Sequence, residues 1–273
     1  MIRWQDIRGV LCDMDGVLWR GHLALPGLVS WFDFLRQRNL AFALLTNNST
    51  QTARDYAAKL DRLGVHGVQE AQIVTSASAT AQVALARHGS GAVVYVVGEE
   101  GLRRSLEQVG LVMLRDEHFQ DDSAPQAVVV GLDRALSYDK AKRAMRFIQA
   151  GADFIGTNPD TSFPLPDGLA PGAGSVIAMI QAASGQTPLV VGKPHRAMYD
   201  VALERLGLPA EAVLMVGDRL DTDIDGAQAL GMMTALVLTG ISTRKEAEAA
   251  SPPPDWVGAG LPQLVTDWRA GLA

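Results

Sequence analysis

Two aspartates stand two positions apart, directly after an apolar run that reads as a strand. Asp13 and Asp15 follow residues 7–12, and Gly16 follows them. Ligands bind at such strand carboxyl ends in open α/β sheets, and glycine lets the backbone turn sharply there. Of two such acids, one could attack phosphorus while the other protonates the leaving oxygen and later activates water. An isolated pair of this kind more often only ends a strand and caps a turn.

A second acidic group strengthens the chemical interpretation. Asp218 and Asp223 follow another apolar strand at residues 212–216. If the two strands are neighbours in one sheet, four carboxylates share an edge, and their mutual repulsion favours a bound cation. Oxygen-only ligands predict Mg²⁺, which takes a few carboxylates, several waters and phosphate oxygens. Asp221, between them, is better explained as a helix N-cap.

A polar run follows the strand predicted at residues 40–45 and precedes a helix. It begins with Thr46, Asn47 and Asn48. Hydroxyl, amide and backbone N–H donors converge there, and the helix N-terminus adds positive potential, so the run could bind an anion. Taken alone, such a run usually only caps the helix.

One lysine follows a further predicted strand, at residues 189–191. Lys193 lies between Gly192 and Pro194. A lysine at that position could neutralise the charge gathered by phosphate and carboxylates. A lone lysine would normally be a solvated surface group.

Short apolar runs alternate with amphipathic stretches, which predicts βαβ units, a largely parallel sheet and the α/β class. The first series has strands at 7–12 and 40–45 and helices at 28–38 and 51–63. The middle series has strands at 92–97 and 127–130, helices at 99–109, 137–150 (with Ser137 as N-cap) and from about 175, and a loop at 157–174. The alternation of the first series resumes with the strand at 189. It continues with helices at 196–206 and 224–230 and strands at 212–216 and 234–238, so the middle segment looks inserted.

Composition predicts an ordinary globular protein. The 273 residues are 48% hydrophobic and 20% charged, with a net charge of −6, which gives no general attraction to nucleic acid or anionic membrane. The N-terminal segment lacks a signal-peptide core and no apolar run approaches the roughly 20 residues that span a bilayer, so we expect a cytoplasmic protein. The single cysteine, Cys12, is expected to be a small buried hydrophobe.

The ordered set of groups resembles the haloacid dehalogenase superfamily, whose phosphatases carry an Asp-x-Asp-Gly segment, a Ser or Thr, a Lys and a late acidic segment. The corresponding residues here are Asp13-Met14-Asp15-Gly16, Thr46, Lys193 and Gly217-Asp218 through Asp223. Further segments resemble subfamily IIA, the branch of NagD-type, 4-nitrophenyl, phosphoglycolate and pyridoxal phosphate phosphatases: Pro26-Gly27, Thr46-Asn47-Asn48, Gly131-Leu132-Asp133, Thr157-Asn158-Pro159-Asp160, Pro171-Gly172 and Gly192-Lys193-Pro194. Arg219 stands where that branch often has Asn.

The resemblance implies a doubly wound, Rossmann-like parallel-sheet core at residues 1–86 and 175–273, with an inserted α/β cap domain at 87–174. It also implies a small phosphorylated metabolite as substrate and a homodimer through the cap. Phe163 lies in the stretch that resembles the specificity loop of the branch. The alternative is that Phe163 is an aromatic residue of the cap core.

The resemblance further assigns the acidic residues. Asp13 would be the nucleophile and a Mg²⁺ ligand, and Asp15 would be the general acid and base, with its backbone carbonyl on the metal. Asp218 would complete the protein ligands. Asp223 would orient the metal site or hold Lys193.

The same resemblance assigns the phosphate contacts. Thr46 and Asn47 would hold phosphate oxygens, with Asn48 near the same site, and Lys193 would balance the charge. Two other functions stay open at this point. A carbon–halogen hydrolase shares the aspartate nucleophile but needs neither metal nor a leaving-group acid, and a phosphometabolite-binding protein would bind without turnover.

Overall fold

The computed structural model describes residues 2–114, 124–165 and 168–272, and the chain forms two compact units. The first unit comprises Met1–Thr46, Arg54–Val74 and Tyr199–Ala273, and the second comprises Asn47–Ala53 and Thr75–Met198. The strands are β1 (Gly9–Asp13), β2 (Trp19–Arg20), β3 (Leu23–Ala24), β4 (Ala41–Thr46), β5 (Ile73–Thr75), β6 (Val93–Val97), β7 (Val112–Met113), β8 (Ala127–Val130), β9 (Asp153–Gly156), β10 (Ser162–Leu165), β11 (Gly168–Pro171), β12 (Leu189–Val190), β13 (Val213–Gly217), β14 (Met233–Val237) and β15 (Trp256–Gly258). The helices are α1 (Leu28–Gln37), α2 (Ala53–Arg62), α3 (Ser76–His88), α4 (Glu100–Gln108), α5 (Tyr138–Gln149), α6 (Ala173–Ser184), α7 (Arg196–Leu206), α8 (Asp225–Gln228), α9 (Arg244–Ala249) and α10 (Leu261–Ala270).

The first unit is built on a six-stranded sheet in the order β15-β14-β13-β1-β4-β5. Its central strand β1 pairs in parallel with β13 on one side and β4 on the other, and all five residues of β1 and of β13 are buried. Burial on both faces of the sheet explains why the sequences of these strands are continuous apolar runs. The chain winds outward from β1 in both directions, so the β1–β13 boundary is a switch point where the carboxyl ends form a crevice.

The second unit contains a five-stranded sheet in the order β12-β9-β8-β6-β7 and the antiparallel β10–β11 hairpin. Neighbouring strands of the five-stranded sheet pair in parallel. Its core joins apolar residues of β6, β8 and β9 to residues of α5 and α6, among them Val97, Val130 and Ile177.

The predicted α/β class with a doubly wound parallel core is confirmed, and most predicted elements agree with the structure to within a few residues. Three predictions were wrong in detail. The predicted loop at 157–174 contains the β10–β11 hairpin, and the strand at 189 joins the second unit's sheet instead of resuming the first. The helix predicted at 224–230 is a π-helical turn, Leu220–Ile224, followed by the short α8.

The predicted assignment of residues 87–174 as a substrate-specificity cap stays a prediction. The second compact unit begins and ends outside that segment, since it also includes α3 and β12. In the part of the chain that the structure describes, no helix is both long and apolar enough to cross a membrane.

The N-cap of α5 provides a stability test in the second unit. The Ser137 side chain accepts a hydrogen bond from the Lys140 backbone N–H, as the sequence predicted. We expect Ser137→Ala to lower the free energy of unfolding by about 1 kcal/mol, because a helix donor loses its partner. Urea unfolding of the full chain measures the change, with the exposed turn variant Ser90→Ala as the control. Equal midpoints for the two variants would contradict the capping role.

Candidate active site

Three carboxylates meet at the carboxyl ends of β1 and β13. Asp13, Asp218 and Asp223 are 7%, 2% and 1% exposed, and each has an oxygen within 4.8 Å of one on the others. Cys12 pairs with Val216 across the two strands, so the acids that follow fall at one edge. The sequence-based prediction of a shared acidic edge therefore matches the geometry of these three residues.

Asp218 is fixed by the loop that follows β14. Its Oδ2 accepts the Ile241 backbone N–H at 2.8 Å, and its backbone carbonyl accepts the Ser242 N–H at 3.0 Å. Glycine is required on two sides of this carboxylate, since an added Cβ would lie 1.7 Å from Oδ2 at Gly240 and 2.5 Å from it at Gly16. Sequence reasoning missed this loop, although its position after a core strand was a usable signal.

Asp223 forms hydrogen bonds within the segment that carries Asp218. Its Oδ2 accepts the backbone N–H groups of Asp218 at 3.2 Å and Arg219 at 3.1 Å, so it holds the turn that presents Asp218. Arg219 pairs with Asp221 through contacts of 3.1 and 2.8 Å, and this hydrogen bonding lowers the pKa of the Asp221 carboxyl. The predicted N-cap Asp221 therefore has a side-chain partner of its own.

The donor set of this cluster fits a hard divalent cation. It consists of buried carboxylate oxygens, and carboxylates this close repel one another unless positive charge offsets them. Backbone N–H groups bound to Asp218 and Asp223 supply part of that charge. The remaining carboxylate oxygens are of the type that Mg²⁺ takes.

Asp15 differs from Asp13 because its side chain is exposed. The chain turns back after Gly16, which has a φ of 88°, and the Gly16 N–H donates to the Trp19 carbonyl at 2.8 Å. This turn brings the Trp19 indole N–H to Asp15 Oδ1 at 2.9 Å. Sequence reasoning missed Trp19, because no spacing rule places a side chain four positions along a turn.

Lys59 of α2 covers the Trp19 ring. Its Nζ lies 3.8 Å from the ring centroid and donates to the Gly21 carbonyl at 2.9 Å. Burial lowers the pKa of the Lys59 ammonium, while the negative charge of Asp15 acts in the opposite direction. The electrostatic surroundings of Asp15 therefore include a half-buried cation.

Thr46 is the last residue of β4 and is 3% exposed. Asp13 pairs with Leu45 across the β1–β4 ladder, so Thr46 follows the register position of Asp13 by one residue. The first unit thus places Thr46 at the same edge as the acidic cluster.

The second unit brings together two other predicted residues, Asn47 and Lys193. The Asn47 Nδ2 donates to the Lys193 carbonyl at 2.9 Å and to Asp160 Oδ1 at 3.2 Å. Lys193 is only 2% exposed, so it is not a solvated surface lysine. The Asn47 side chain therefore positions the backbone that carries Lys193.

A further polar layer holds Asn47 itself. Its backbone carbonyl accepts from Asn158 Nδ2 at 2.7 Å and from Ser76 Oγ at 2.5 Å, and all three residues are buried or nearly so. In the sequence, Asn158 stands out only through its place in a segment that resembles subfamily IIA, and sequence reasoning missed Ser76. Buried polar groups must be paired, and Asn and Ser at strand ends are the signal that could have indicated this layer.

Asn48 and Phe163 also lie in the second unit. Asn48 Oδ1 accepts the Thr50 N–H and hydroxyl, both at 2.8 Å, which is the local capping arrangement that the sequence left as the alternative. Phe163 is half-buried on β10 and pairs with Ala170 of β11. The hairpin thus places Phe163 and Ala170 on one face and Leu169 on the other.

Comparison with known proteins agrees with this architecture. A haloacid dehalogenase-like hydrolase family model matches residues 10–112, and a second, HAD-hydrolase-like model matches residues 190–264. The acid sugar phosphatase of Staphylococcus saprophyticus is 35% identical over 96% of this chain and 98% of its own length.

Solved structures give the same result. NagD from Escherichia coli K-12 has a TM-score of 0.84 and 34% identity over 93% of this chain and 97% of its own. A glycerol phosphate phosphatase from Mycobacterium tuberculosis, solved in complex with magnesium, has a TM-score of 0.86 and 35% identity over 97% of this chain and 78% of its own. The chain therefore belongs to the haloacid dehalogenase-like hydrolases, in the NagD-containing subfamily IIA, and is a phosphatase.

Proposed function

We propose that the protein hydrolyses small phosphomonoesters with Mg²⁺, in two steps through an aspartyl-phosphate on Asp13. The observation that carries the proposal is the buried cluster of Asp13, Asp218 and Asp223, with the exposed acid Asp15 two residues from the nucleophile. A buried nucleophile and an exposed proton carrier are suited to different tasks. The named relatives, which are phosphatases, support the same reaction class.

Asp13, Asp218 and the Asp15 backbone carbonyl would hold the Mg²⁺, and Asp223 would keep Asp218 in place through the backbone. The metal would offset negative charge on the phosphoryl oxygens. The magnesium complex of the mycobacterial relative supports the choice of ion. Lys193 and Thr46 would supply the remaining positive and hydrogen-bonding contacts to the phosphoryl group.

In the first step, a carboxylate oxygen of Asp13 forms a bond to phosphorus while the ester P–O bond breaks. Asp15, in its protonated form, gives its proton to the leaving oxygen, which departs as an alcohol. The phosphoryl group remains on Asp13 as a mixed anhydride. Protonation matters most when the leaving oxygen is strongly basic.

In the second step, water replaces the alcohol. The Asp15 carboxylate takes a proton from that water, whose oxygen bonds to phosphorus as the P–O bond to Asp13 breaks. Inorganic phosphate leaves and Asp15 is protonated again, so both acids return to their starting states. One residue thus acts as acid and then as base.

The phosphate contact proposed for Asn47 is assigned to its backbone N–H. Its side-chain amide already donates to Lys193 and Asp160, so that group positions the lysine segment. Asn48 would act near the same site through its backbone, since its Oδ1 binds Thr50. Donors at such a strand-to-helix junction suit an anion.

The physiological ester is proposed to be a small polyol or sugar phosphate, as the names of the relatives support. We assign the choice of ester to the predicted cap at 87–174 and to Phe163. Assembly through the cap as a homodimer, a cytoplasmic location and the lack of a nucleic acid or membrane partner remain predictions from the sequence.

The nucleophile is tested with Asp13→Asn. We expect phosphate release from 4-nitrophenyl phosphate with Mg²⁺ to fall by about 1,000-fold or more, because an amide cannot form the phosphoenzyme. Acid-quenched mass spectrometry should find the phosphoryl adduct on Asp13 of the unchanged enzyme. The control is Asp225→Asn, which removes an exposed carboxylate two residues after Asp223. Retained turnover in Asp13→Asn would refute the assignment, and release of halide from a haloacid without Mg²⁺ would favour the dehalogenase alternative.

The metal site is tested with Gly240→Ala. The new methyl group would displace the Asp218 carboxylate, so we expect the Mg²⁺ concentration for half-maximal activity to rise about 10- to 100-fold. Gly9→Ala, at the other end of β1, is the matched control, because the one close contact of its Cβ would be the flexible end of Leu208 at 2.5 Å; its other neighbours, Ala41 O and the Leu206 side chain, lie at 3.5 Å. Equal Mg²⁺ requirements for the two variants, both folded by circular dichroism, would count against Asp218 as a ligand.

The specificity role of Phe163 is tested with Phe163→Ala. We expect the ranking of esters by kcat/KM to change across a panel of sugar, polyol and nucleoside monophosphates, because an apolar contact to the leaving group is lost. Leu169→Ala is the control on the other face of the same hairpin. An unchanged ranking would leave Phe163 as a packing residue of the second unit.

A further inference from the structure

Trp19 is a buried side chain whose polar atom is aimed at the proposed acid. Its indole is 0% exposed, and its N–H reaches Asp15 Oδ1 at 2.9 Å. An indole nitrogen only donates, so this contact occupies one carboxyl oxygen and leaves a transferable proton to the other. The bond therefore fixes which oxygen of Asp15 is available to carry a proton.

The indole is held in place by α2. Tyr56 stacks on it with 6.2 Å between ring centroids and 7° between ring planes, and Lys59 places its ammonium 3.8 Å from the ring centroid. Residues three apart lie on one side of a helix, so a single face of α2 carries both contacts. The Lys59 Nζ is itself anchored on the Gly21 carbonyl, in the turn between β2 and β3.

The cation has a direct electrostatic consequence. A positive charge over an aromatic face is attracted to its electrons and draws them toward the face. An N–H on that ring becomes a better donor, since linked polar contacts polarise one another. Lys59 thus strengthens the Trp19 bond to Asp15 without occupying a carboxyl oxygen.

We propose that Trp19 and Lys59 are positioning residues for acid catalysis: they hold Asp15 so that its second oxygen delivers a proton to the leaving group. The inference rests on the proposed function, because it needs Asp15 as the acid. Packing alone does not require the bond. Trp31 is equally buried in the same unit, and its indole nitrogen has no partner among the residues that the structure describes.

The test exploits the basicity of the leaving oxygen. Trp19→Phe keeps an aromatic ring and removes the N–H. We expect its kcat/KM, relative to the unchanged enzyme, to fall about 10- to 100-fold for an alkyl ester such as glycerol phosphate, the cost of a misplaced catalytic group. The fall should be smaller for phenyl phosphate and smallest for 4-nitrophenyl phosphate, whose leaving oxygen needs little protonation.

Trp31→Phe is the matched control. It removes the same atoms from a buried site in the first unit, so any loss of activity that follows from weaker packing should be the same for all three esters. Lys59→Met removes the cation and keeps a side chain of similar length; its losses should follow the same ester order as Trp19→Phe, with Lys59→Arg restoring activity. The two variants at the half-buried Lys59 test the positioning role if Trp19→Phe fails to fold.

Asp15→Asn distinguishes a failure of the proposed acid role from a failure of the positioning role. It should give the steepest dependence on leaving-group basicity of all the variants. If Asp15→Asn lowers kcat/KM by the same factor for all three esters, the acid role in the proposed function is wrong. Suppose that the loss in Asp15→Asn depends on leaving-group basicity, while Trp19→Phe and Lys59→Met lower kcat/KM by the same factor for all three esters. The acid role then stands, and the positioning role of Trp19 and Lys59 is refuted.

Discussion

Repulsion among buried carboxylates is the constraint on which the rest of the site depends. Asp13, Asp218 and Asp223 are almost wholly removed from water, where like charges interact far more strongly than at a surface. The fold accommodates them with backbone N–H groups at Asp218 and Asp223 and with glycines that leave room for Asp218. Compensating positive charge stabilises such a cluster, which is why these residues suit the Mg²⁺ site proposed for them.

Asp13 and Asp15 differ in burial although they are only two residues apart. Asp13 ends a central strand and is buried with it, whereas Asp15 lies on the turn beyond and is exposed. A nucleophile must be fixed and kept from water, while a proton carrier must reach both the leaving alcohol and the incoming water. Strand end and turn supply these two environments within one short segment.

The sequence predicted the acidic edge because neighbouring parallel strands on either side of a switch point bring their carboxyl ends together. It placed the strand that precedes Lys193 in the wrong sheet, because β12 is a two-residue strand whose pairing with β9 depends on tertiary contacts and not on its own pattern. It missed Trp19, Ile241 and Ser76 for a related reason. Each acts through a turn or a neighbouring loop, where contact is decided by backbone geometry that spacing does not encode.

The leaving group connects the core chemistry to the kind of ester that is hydrolysed. Groups around the phosphoryl are the same for every phosphomonoester, but an alcohol from a sugar or polyol leaves as a strongly basic oxygen, and an aryl alcohol does not. A site that hydrolyses the former depends on a well-oriented acid. The bond from Trp19 to Asp15 and the Lys59 ammonium over the Trp19 ring, all within the first unit, are the contacts proposed to supply that orientation. On the proposals made above, selection among esters would have two independent physical origins: the basicity of the leaving oxygen, through Asp15, and the shape of the ester, through the predicted cap.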